Sequence, residues 1–273
     1  MKILIVGSNS ILSKAILNQH LDDEVDVLYN SKTSENYFRQ FPMDDLIQLN
    51  DEYDYVYIVS AILSNHLDDI DMLFHVNVKL VKNISYQFPS AKLIYFSTVS
   101  VFDGLSDIII SENTTPTPES FYGISKLWAE KVIMKHSKFS ILRISSMYGI
   151  GMKNLTFLPK IIDDAISKKQ IRIFGDGLRY QNYIKVDDVA VLAKKTAELN
   201  ENTVQLAIDK INYSNRQLAE IIKNETDCEI LYEGFDSSRS VEYSQNTFPY
   251  SAYNITSLEK GIKELIEWKR KQF

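Results

Sequence analysis

Short apolar runs alternate with helical patterns along residues 1–145, and this alternation restricts the fold more than any other feature of the chain. Five runs have the length and residue types of strands, namely KILIV (2–6), VDVLY (25–29), YVYIVS (55–60), KLIYFS (92–97) and SILRI (140–144). All but the second are almost continuously apolar or aromatic. This pattern is typical of strands that are covered on both faces of a parallel sheet.

Three segments between these runs, 10–20, 68–88 and 119–136, have helical patterns. In the second segment one apolar face recurs every three to four residues, at Leu73, Val76, Leu80, Ile84 and Phe88. Strands that alternate with helices predict an α/β fold with a doubly wound parallel sheet, the Rossmann arrangement. The interval from Tyr29 to Asp54 is short, so we expect one strand–helix unit to be trimmed there.

The pattern loosens after residue 150, where helices and strands alternate less regularly. We therefore expect two domains. Residues 1–150 form the dinucleotide-binding Rossmann domain, to which 180–208 return, and residues 151–273 form a smaller substrate-binding lobe. This arrangement predicts a cleft at the carboxyl edge of the sheet.

Charge and composition exclude several classes of function. The net charge of −6 argues against general binding of nucleic acid. Cys228 is the single cysteine and the four histidines are scattered, so the sequence predicts neither a disulfide framework nor a metal site. No run of residues reaches the ~20 apolar positions of a membrane span, and the apolar start is too short for a secretory signal. We expect a cytoplasmic protein.

The stretch GSNSILSK (7–14) follows the first predicted strand and opens the first predicted helix. This position is typical of a dinucleotide-binding turn, whose helix N-terminus binds phosphate. The predicted cofactor contacts in this turn are Gly7, Asn9, Ser10, Ile11 and Leu12. Serine hydroxyls in the turn are expected to add hydrogen-bond donors.

The stretch YGISK (122–126) places Tyr122 and Lys126 four residues apart on one helix. Both side chains therefore project from the same helix face. An ammonium next to a phenol favours the phenolate, so we expect the pKa of Tyr122 to lie below its usual value. The pair is a candidate for general acid–base chemistry.

An ordered set of motifs surrounds this pair. The chain contains STVSVFDG (97–104), then Glu112, Pro116 and Pro118, then YGISKLWAE (122–130). Further along come ILRISSMYG (141–149), IFGDG (173–177), NYIKVDDVA (182–190) and SLEKGIKELIEW (257–268). In this order the motifs resemble those of the extended short-chain dehydrogenase/reductases, the group of sugar-nucleotide epimerases, dehydratases and reductases.

The resemblance implies three catalytic residues. Tyr122 would be the general acid/base at the reacting oxygen, and Lys126 would assist it and contact the nicotinamide ribose. Thr98 would hydrogen-bond to the same substrate oxygen. Ser97 would contact the nicotinamide or hold the end of the strand.

The resemblance also implies cofactor contacts at Ser60, Ala61, Asn77 and Ile144. In Rossmann folds generally, an acidic residue at the end of the second strand binds the ribose of NAD. Further cofactor contacts are therefore expected at the end of the second predicted strand. Asn30 stands in this region with Lys32 beyond it, which favours NADP over NAD. The cofactor is thus expected to be NADP or NAD.

The expected substrate is a nucleotide-activated sugar, with contacts at Thr98, Ser146, Arg179 and Arg239. The family usually has an arginine where this chain has Gln181. Val99 and Ser100 follow Thr98 in place of the acidic pair of the 4,6-dehydratases, which argues against that reaction. Reduction of a 4-keto-sugar nucleotide is favoured, with redox-neutral epimerisation and a non-catalytic regulatory role as alternatives.

Family members commonly form homodimers through the helix that carries the tyrosine and the helix around 68–88. Trp128, Val132 and Ile133 are candidates for an apolar seam of this kind. A buried face within one chain explains these residues equally well.

Overall fold

The computed structural model describes residues 1–33, 35–106, 108–244, 253 and 255–272. The chain forms two compact units. Unit 1 comprises Met1–Leu105, Glu112–Ile144 and Val189–Ala207, and unit 2 comprises Ser106–Ser111, Ser145–Asp188 and Ile208–Phe273.

The strands are β1 (Lys2–Val6), β2 (Glu24–Tyr29), β3 (Arg39–Pro42), β4 (Tyr55–Ile58), β5 (Lys92–Thr98), β6 (Ile109–Ile110), β7 (Phe139–Ile144), β8 (Ser146–Tyr148), β9 (Gln170–Phe174), β10 (Tyr180–Lys185), β11 (Thr203–Ala207), β12 (Asn212–Ser214), β13 (Glu229–Glu233) and β14 (Glu242–Tyr243). The α-helices are α1 (Ile11–Asn18), α2 (Ile70–Leu73), α3 (Leu80–Gln87), α4 (Phe121–Ile133), α5 (Phe157–Ser167), α6 (Val186–Ala197), α7 (Asn215–Thr226) and α8 (Leu258–Arg270). A π-helical segment, Phe74–Lys79, joins α2 to α3, and 3₁₀ turns cover Met43–Gln48, Leu67–Asp69 and Val99–Phe102.

Unit 1 is built on a parallel sheet that, within the described residues, has seven strands in the order β11-β7-β5-β4-β1-β2-β3. The predicted doubly wound α/β fold is confirmed, and all five predicted strands are present. The chain leaves β1 in one direction and returns to β4 on its other side. The loops after β1 and β4 therefore flank the switch point of the sheet, where such folds bind ligands.

The sequence did not reveal two edge strands, β3 and β11. The trimmed unit expected between Tyr29 and Asp54 consists of the four-residue β3 and a 3₁₀ turn in place of an α-helix. Arg39 of β3 binds the buried carboxylate of Asp26 at 2.6 Å, and Tyr53 donates to the same carboxylate at 2.8 Å. These contacts hold a short strand that has little apolar surface of its own.

The central strands have the burial that their composition predicts. Ile3–Val6 and every residue of β5 are buried, as expected for strands covered on both faces. The predicted apolar face of segment 68–88 packs on the sheet with Leu73, Ile84 and Phe88 buried. The sheet and its helices thus provide a rigid frame for the loops at the carboxyl edge.

Unit 2 has its own core beneath a three-stranded sheet in the order β12-β10-β8. Its described residues also form the two-stranded pairs β13–β9 and β14–β6. Helix α8 packs closely on this core, because a Cβ at Gly261 would lie 2.0 Å from the Tyr148 hydroxyl. Only glycine fits at this contact. None of the helices in the described residues has both the length and the apolar character that crossing a bilayer requires.

A buried ion pair joins helix α4 to strands β5 and β7 in unit 1. Arg143 of β7 donates two hydrogen bonds to Glu130 of α4, at 3.0 and 2.8 Å. Ser97 of β5 donates to the same carboxylate at 2.6 Å. The Arg143 guanidinium also lies 5.0 Å from the ring centre of Phe102. This cluster fixes α4 against the end of β5.

We expect Arg143→Met to lower the free energy of unfolding by about 3–5 kcal/mol, because Glu130 would remain buried without a counter-charge. The double variant Arg143→Met/Glu130→Met removes both charges and should regain most of that loss. Denaturant unfolding of the three proteins measures the difference. A double variant no more stable than the single one would contradict this account of the pair.

Candidate active site

Tyr122 and Lys126 lie on α4, whose N-terminus is fixed by local contacts. The Ser120 side chain caps the helix by accepting from Gly123 N at 3.0 Å. A Cβ at Gly123 would lie 2.4 Å from the Ser100 carbonyl oxygen, so only glycine allows the helix to approach the loop after β5. This approach explains the glycine in the YGISK motif.

The loop after β5 is attached to the same helix end by Asp103 and Gly104. Asp103 Oδ1 accepts from Glu119 N at 2.6 Å, and Gly104 N donates to Thr117 O at 2.9 Å. The Pro-containing segment before α4 therefore crosses directly over the VFDG turn. The two motifs that are separate in sequence form one structural unit.

Thr98 is the last residue of β5 and caps the 3₁₀ turn that follows. Its Oγ1 accepts from Ser100 N at 3.1 Å and donates to Ser100 Oγ at 3.1 Å. A side-chain hydrogen bond also joins Thr98 and Tyr122. The structure thus brings together Thr98 and Tyr122, as the motifs predicted, with Lys126 one helical turn along.

The protonation of this cluster differs from the expectation. Burial raises the pKa of Tyr122 to about 12, although the hydrogen bond with Thr98 opposes the change. Burial lowers the pKa of Lys126 to about 7, and the charge of Glu130 opposes that change. The expected lowering of the Tyr122 pKa by Lys126 is wrong for this structure, because desolvation of the phenolate outweighs the favourable contacts.

The glycine-poor loop after β1 adopts a tight turn. Gly7 has φ +104°, and a Cβ there would lie 2.7 Å from Ser60 Oγ. The turn therefore needs glycine both for its backbone conformation and for its contact with the loop after β4. Ser60 and Ala61, predicted as cofactor contacts, lie in that second loop.

The two serines that stand in place of glycines make internal hydrogen bonds. Ser10 Oγ caps α1 by accepting from Ser13 N at 3.0 Å, and the two hydroxyls lie 2.7 Å apart. Ser13 Oγ donates to Gly7 O at 2.7 Å. These hydroxyls stabilise the turn itself, and their expected role as donors to a ligand stays a prediction. The donors left in the first turn of α1 are the backbone N–H groups of Ile11 and Leu12.

Asn9 and Ser8 connect this loop to the end of β2. Asn9 Nδ2 and Ser8 Oγ both donate to Ser31 O, at 2.8 and 3.0 Å. Asn30 and Lys32, the predicted ribose-side contacts, are exposed beside this junction. The side chain of Leu12 is buried in the core, so only its backbone can contribute to a site.

Asn77 is buried in the π-helical segment and fixes the loop after β4. Its amide donates to Ile62 O at 2.9 Å and accepts from Ile62 N at 2.8 Å. It also donates to Ser125 Oγ at 3.0 Å, and Ser125 in turn donates to Tyr122 O at 2.8 Å. A single amide therefore connects the loop after β4 with the helix that carries Tyr122. Such π segments occur frequently at functional sites.

Comparison with known proteins agrees with these motifs. Residues 1–228 match the family described as the RmlD substrate binding domain. The chain belongs to this family. It is thus a member of the extended short-chain dehydrogenase/reductase group that its motifs resemble.

Two curated relatives and one solved structure illustrate the range of proteins to which this chain is similar. A GDP-6-deoxy-D-talose 4-dehydrogenase of Aggregatibacter actinomycetemcomitans is 26% identical over 156 residues, which cover 55% of this chain and 49% of that protein. The match therefore spans about half the length of that relative. An uncharacterized UDP-glucose epimerase, YtcB, of Bacillus subtilis is 24% identical over 71% of this chain and 73% of its own length. The UDP-glucuronic acid 4-epimerase of Bacillus cereus, solved with NAD, has a TM-score of 0.86 and 20% identity, covering 100% of this chain and 97% of that one.

The remaining predicted contacts of this RmlD-family chain are divided between the two units, and Ile144 is the strand partner of Thr98. Ile144 ends β7 in unit 1 and is buried. In unit 2, Arg179 Nε donates to the Arg239 carbonyl at 3.1 Å, so the two predicted arginines lie next to each other. Gln181, which replaces the usual arginine, donates to Asn215 Oδ1 at 2.9 Å, and Ser146 is exposed in β8. The substrate and cofactor roles of all these residues stay predictions.

Sequence reasoning missed three residues that support the cluster. Arg143, Asp103 and Tyr95 each contact an element that carries a predicted catalytic residue. Arg143 and Asp103 stand inside the motifs ILRISSMYG and STVSVFDG, and each is a charged residue within an otherwise apolar or turn segment. Tyr95 is a phenol within an apolar strand and carried no separate signal.

Ser10→Ala should lower the free energy of unfolding by about 1 kcal/mol, whereas Ser10→Gly should lower it by only a few tenths. The reason is that alanine loses the helix cap and glycine is tolerated at a cap position. Thermal or denaturant unfolding of both variants measures the effect. Equal stability of wild type and Ser10→Ala would show that the hydroxyl has no capping role.

Proposed function

We propose that the protein is a nicotinamide-dependent oxidoreductase that reduces a carbonyl of a nucleotide-activated sugar, most specifically a 4-keto-sugar. The cluster of Thr98, Tyr122 and Lys126 carries this proposal. These residues lie at the carboxyl end of β5 and the start of α4, beside the switch point of a doubly wound sheet. Membership of the RmlD substrate binding domain family supports the substrate class.

The loops of unit 1 fit a dinucleotide. Gly7 lets the backbone turn closely past Ser60, and the N-terminus of α1 presents the N–H groups of Ile11 and Leu12. A helix N-terminus of this kind favours phosphate through its N–H groups and dipole. Gly7, Ile11 and Leu12 would thus hold the pyrophosphate, and Asn9 would shape the loop through Ser31.

When bound, the nicotinamide supplies the hydride that reduces the carbonyl carbon. Tyr122 donates its proton to the carbonyl oxygen, so the carbonyl becomes a hydroxyl. A pKa of about 12 keeps Tyr122 protonated near neutral pH, so the proton to be donated is present on the phenol. Thr98 orients the same oxygen by hydrogen bonding, and the Lys126 ammonium stabilises the negative charge that develops on the phenol oxygen.

The end of β2 supports a preference for NADP. Asn30 and Lys32 are exposed there, and the one acid of β2 that is buried, Asp26, is occupied by Arg39 and Tyr53. A lysine near the adenosine ribose favours a 2′-phosphate, whereas NAD usually requires an acid at that place. NAD is the alternative, and it is the cofactor present in the Bacillus cereus structure.

Redox-neutral epimerisation is the second candidate reaction. The B. cereus 4-epimerase and the relative YtcB of Bacillus subtilis favour it, since both are named as epimerases. A non-catalytic dinucleotide-binding role is disfavoured, because a binding protein does not need Tyr122, Thr98 and Lys126 together. An epimerase retains oxidised NAD through purification, whereas a reductase exchanges its cofactor at each turnover.

Tyr122→Phe should abolish reduction of keto-sugar nucleotides, with a loss of at least about 100-fold in kcat, because the proton donor is removed. Its affinity for the dinucleotide should remain that of wild type. Nicotinamide absorbance during turnover and fluorescence titration of NADPH and NADH measure the two quantities.

Tyr55→Phe is the matched control, since Tyr55 begins β4 at the amino end of the strands, away from the carboxyl ends that carry the site. It should leave kcat unchanged. Unchanged turnover in Tyr122→Phe would refute the proposed role of this tyrosine. Bound oxidised NAD in the purified protein, with no net reduction of any keto-sugar, would favour the epimerase.

We further propose that unit 1 forms a homodimer through the outer face of α2–α4, here called the helical face. Phe74 and Trp128 are exposed there with their ring centres 5.2 Å apart, and their exposed fractions are 43% and 54%. Ile133 does not contribute, because it is fully buried within the unit.

Charges on the helical face are separated along its length. Asp68 and Asp71 lie at the end of the helical face where α2 begins. Lys131 and Lys135 lie at the other end, beside Tyr86 of α3. A twofold axis that places the helices of two copies antiparallel would bring each acidic end against a basic end. Such isologous contacts are the common form of homodimer.

Trp128→Glu should convert the dimer to a monomer, because it places a charge in the apolar centre of the helical face. Leu21→Glu is the control, since Leu21 is 78% exposed just after α1, outside the helical face. Light scattering coupled to size-exclusion chromatography measures the mass of each. A wild-type protein that is monomeric at all concentrations would overturn the dimer.

A further inference from the structure

The Lys126 ammonium rests on an aromatic ring. Its Nζ lies 4.2 Å from the centre of the Tyr95 ring. Lys126 is 1% exposed and Tyr95 is fully buried, so no solvent shares this contact. Tyr95 belongs to β5, three residues before Thr98, so the same strand carries both residues.

The Tyr95 hydroxyl does not explain why a tyrosine occupies this position. Among the described residues, its Oη is buried and has no hydrogen-bond partner. A buried hydroxyl without a partner destabilises a folded protein. The ring face, in contrast, has a defined and chemically complementary neighbour in Lys126.

We propose that Tyr95 is a positioning residue for the reaction, because its ring keeps the Lys126 side chain charged and in place one helical turn along from Tyr122. This inference rests on the proposed function of Tyr122 and Lys126. It assigns to an inner residue of β5 a role that none of the motifs predicted.

The contact matters because Lys126 has few other means of stabilising its charge. Burial disfavours an ammonium, and it lowers the pKa of Lys126 to about 7. A cation over the face of an aromatic ring is attracted by the ring quadrupole, and more strongly when desolvated. Without the ring, a larger share of Lys126 would be neutral at neutral pH.

The titratable groups around Lys126 come from four directions. Tyr95 lies on β5, and Tyr122 and Glu130 lie on the same helix as Lys126. Arg143 of β7 donates to Glu130, so its positive charge partly offsets the negative charge that Glu130 presents to Lys126. The neighbouring helical segment 70–79 presents Asp71, His75 and Lys79, which are all exposed to water. Among the groups inside the protein, Glu130 and the Tyr95 ring favour the charged form of Lys126.

The test compares Tyr95→Leu with the matched variant Tyr95→Phe, which keeps the ring and removes only the hydroxyl. The pKa of Lys126 is measured by NMR on the intact protein labelled with ¹³C at lysine Cε, with Lys126→Arg used to assign the signal. We expect Tyr95→Phe to titrate like wild type and Tyr95→Leu to titrate about one pH unit lower. This readout needs no substrate, so it stands even if the proposed reaction fails.

The kinetic readout uses keto-sugar nucleotide turnover. Charged Lys126 is lost as pH rises through its pKa, so the alkaline limb of kcat should move to lower pH in Tyr95→Leu and stay in place in Tyr95→Phe. KM for the sugar nucleotide should change little in either variant. No activity in wild type, together with the expected NMR shift, would overturn the reaction and leave the role of the ring intact.

Coincident Lys126 titrations in Tyr95→Leu and Tyr95→Phe would overturn the proposal. Tyr95→Met serves as the second non-aromatic variant, since the flexible side chain of methionine adapts to irregular gaps in a core. If Tyr95→Phe folds and neither non-aromatic variant does, the ring acts through packing and the proposal is wrong.

Discussion

The position of helix α4 depends on the buried contact of Glu130 with Arg143 and Ser97. Two charged groups and a hydroxyl are removed from water at this point, and their mutual hydrogen bonds at 2.6–3.0 Å offset the desolvation. Because Ser97 adjoins Thr98, the same contact fixes the end of β5. Asp103 and the close approach at Gly123 fix the other end of the helix. The distance between Thr98 and Tyr122 is thus set by rigid elements, which is what precise proton transfer requires.

Burial gives the site its electrostatic character. Burial raises the pKa of Tyr122 and lowers the pKa of Lys126, so it favours the neutral form of each residue. The two residues therefore do not form the simple pair of ammonium and phenolate that their spacing predicts. A protonated tyrosine is prepared to donate a proton, which agrees with carbonyl reduction. The Tyr95 ring and Glu130 then keep Lys126 charged at the depth where its charge is useful.

Much of unit 1 could be predicted from the sequence, because strands with continuous apolar runs, such as KILIV and KLIYFS, are governed by local composition. The edge strand β3 could not, since it is held by the contact of Arg39 with the distant Asp26 and Tyr53. Within the site, helical spacing was enough to place Tyr122 beside Lys126. It could not reveal the pKa of either residue, because burial depends on Tyr95 and β7, which are distant in sequence. The serines of the first loop show the same limit. Residue type indicated their hydroxyls as ligand donors, whereas the folded turn uses them internally.

The proposed reaction transfers a hydride from a nicotinamide to the carbonyl carbon of a sugar nucleotide. The most direct measurement is mass spectrometry of the sugar product after incubation with keto-sugar nucleotides and NADPH or NADH deuterated at C4 of the nicotinamide, in each of the two C4 configurations. We expect one configuration to transfer a single deuterium to the carbon that becomes the alcohol. Absence of label from both configurations and both cofactors would contradict it.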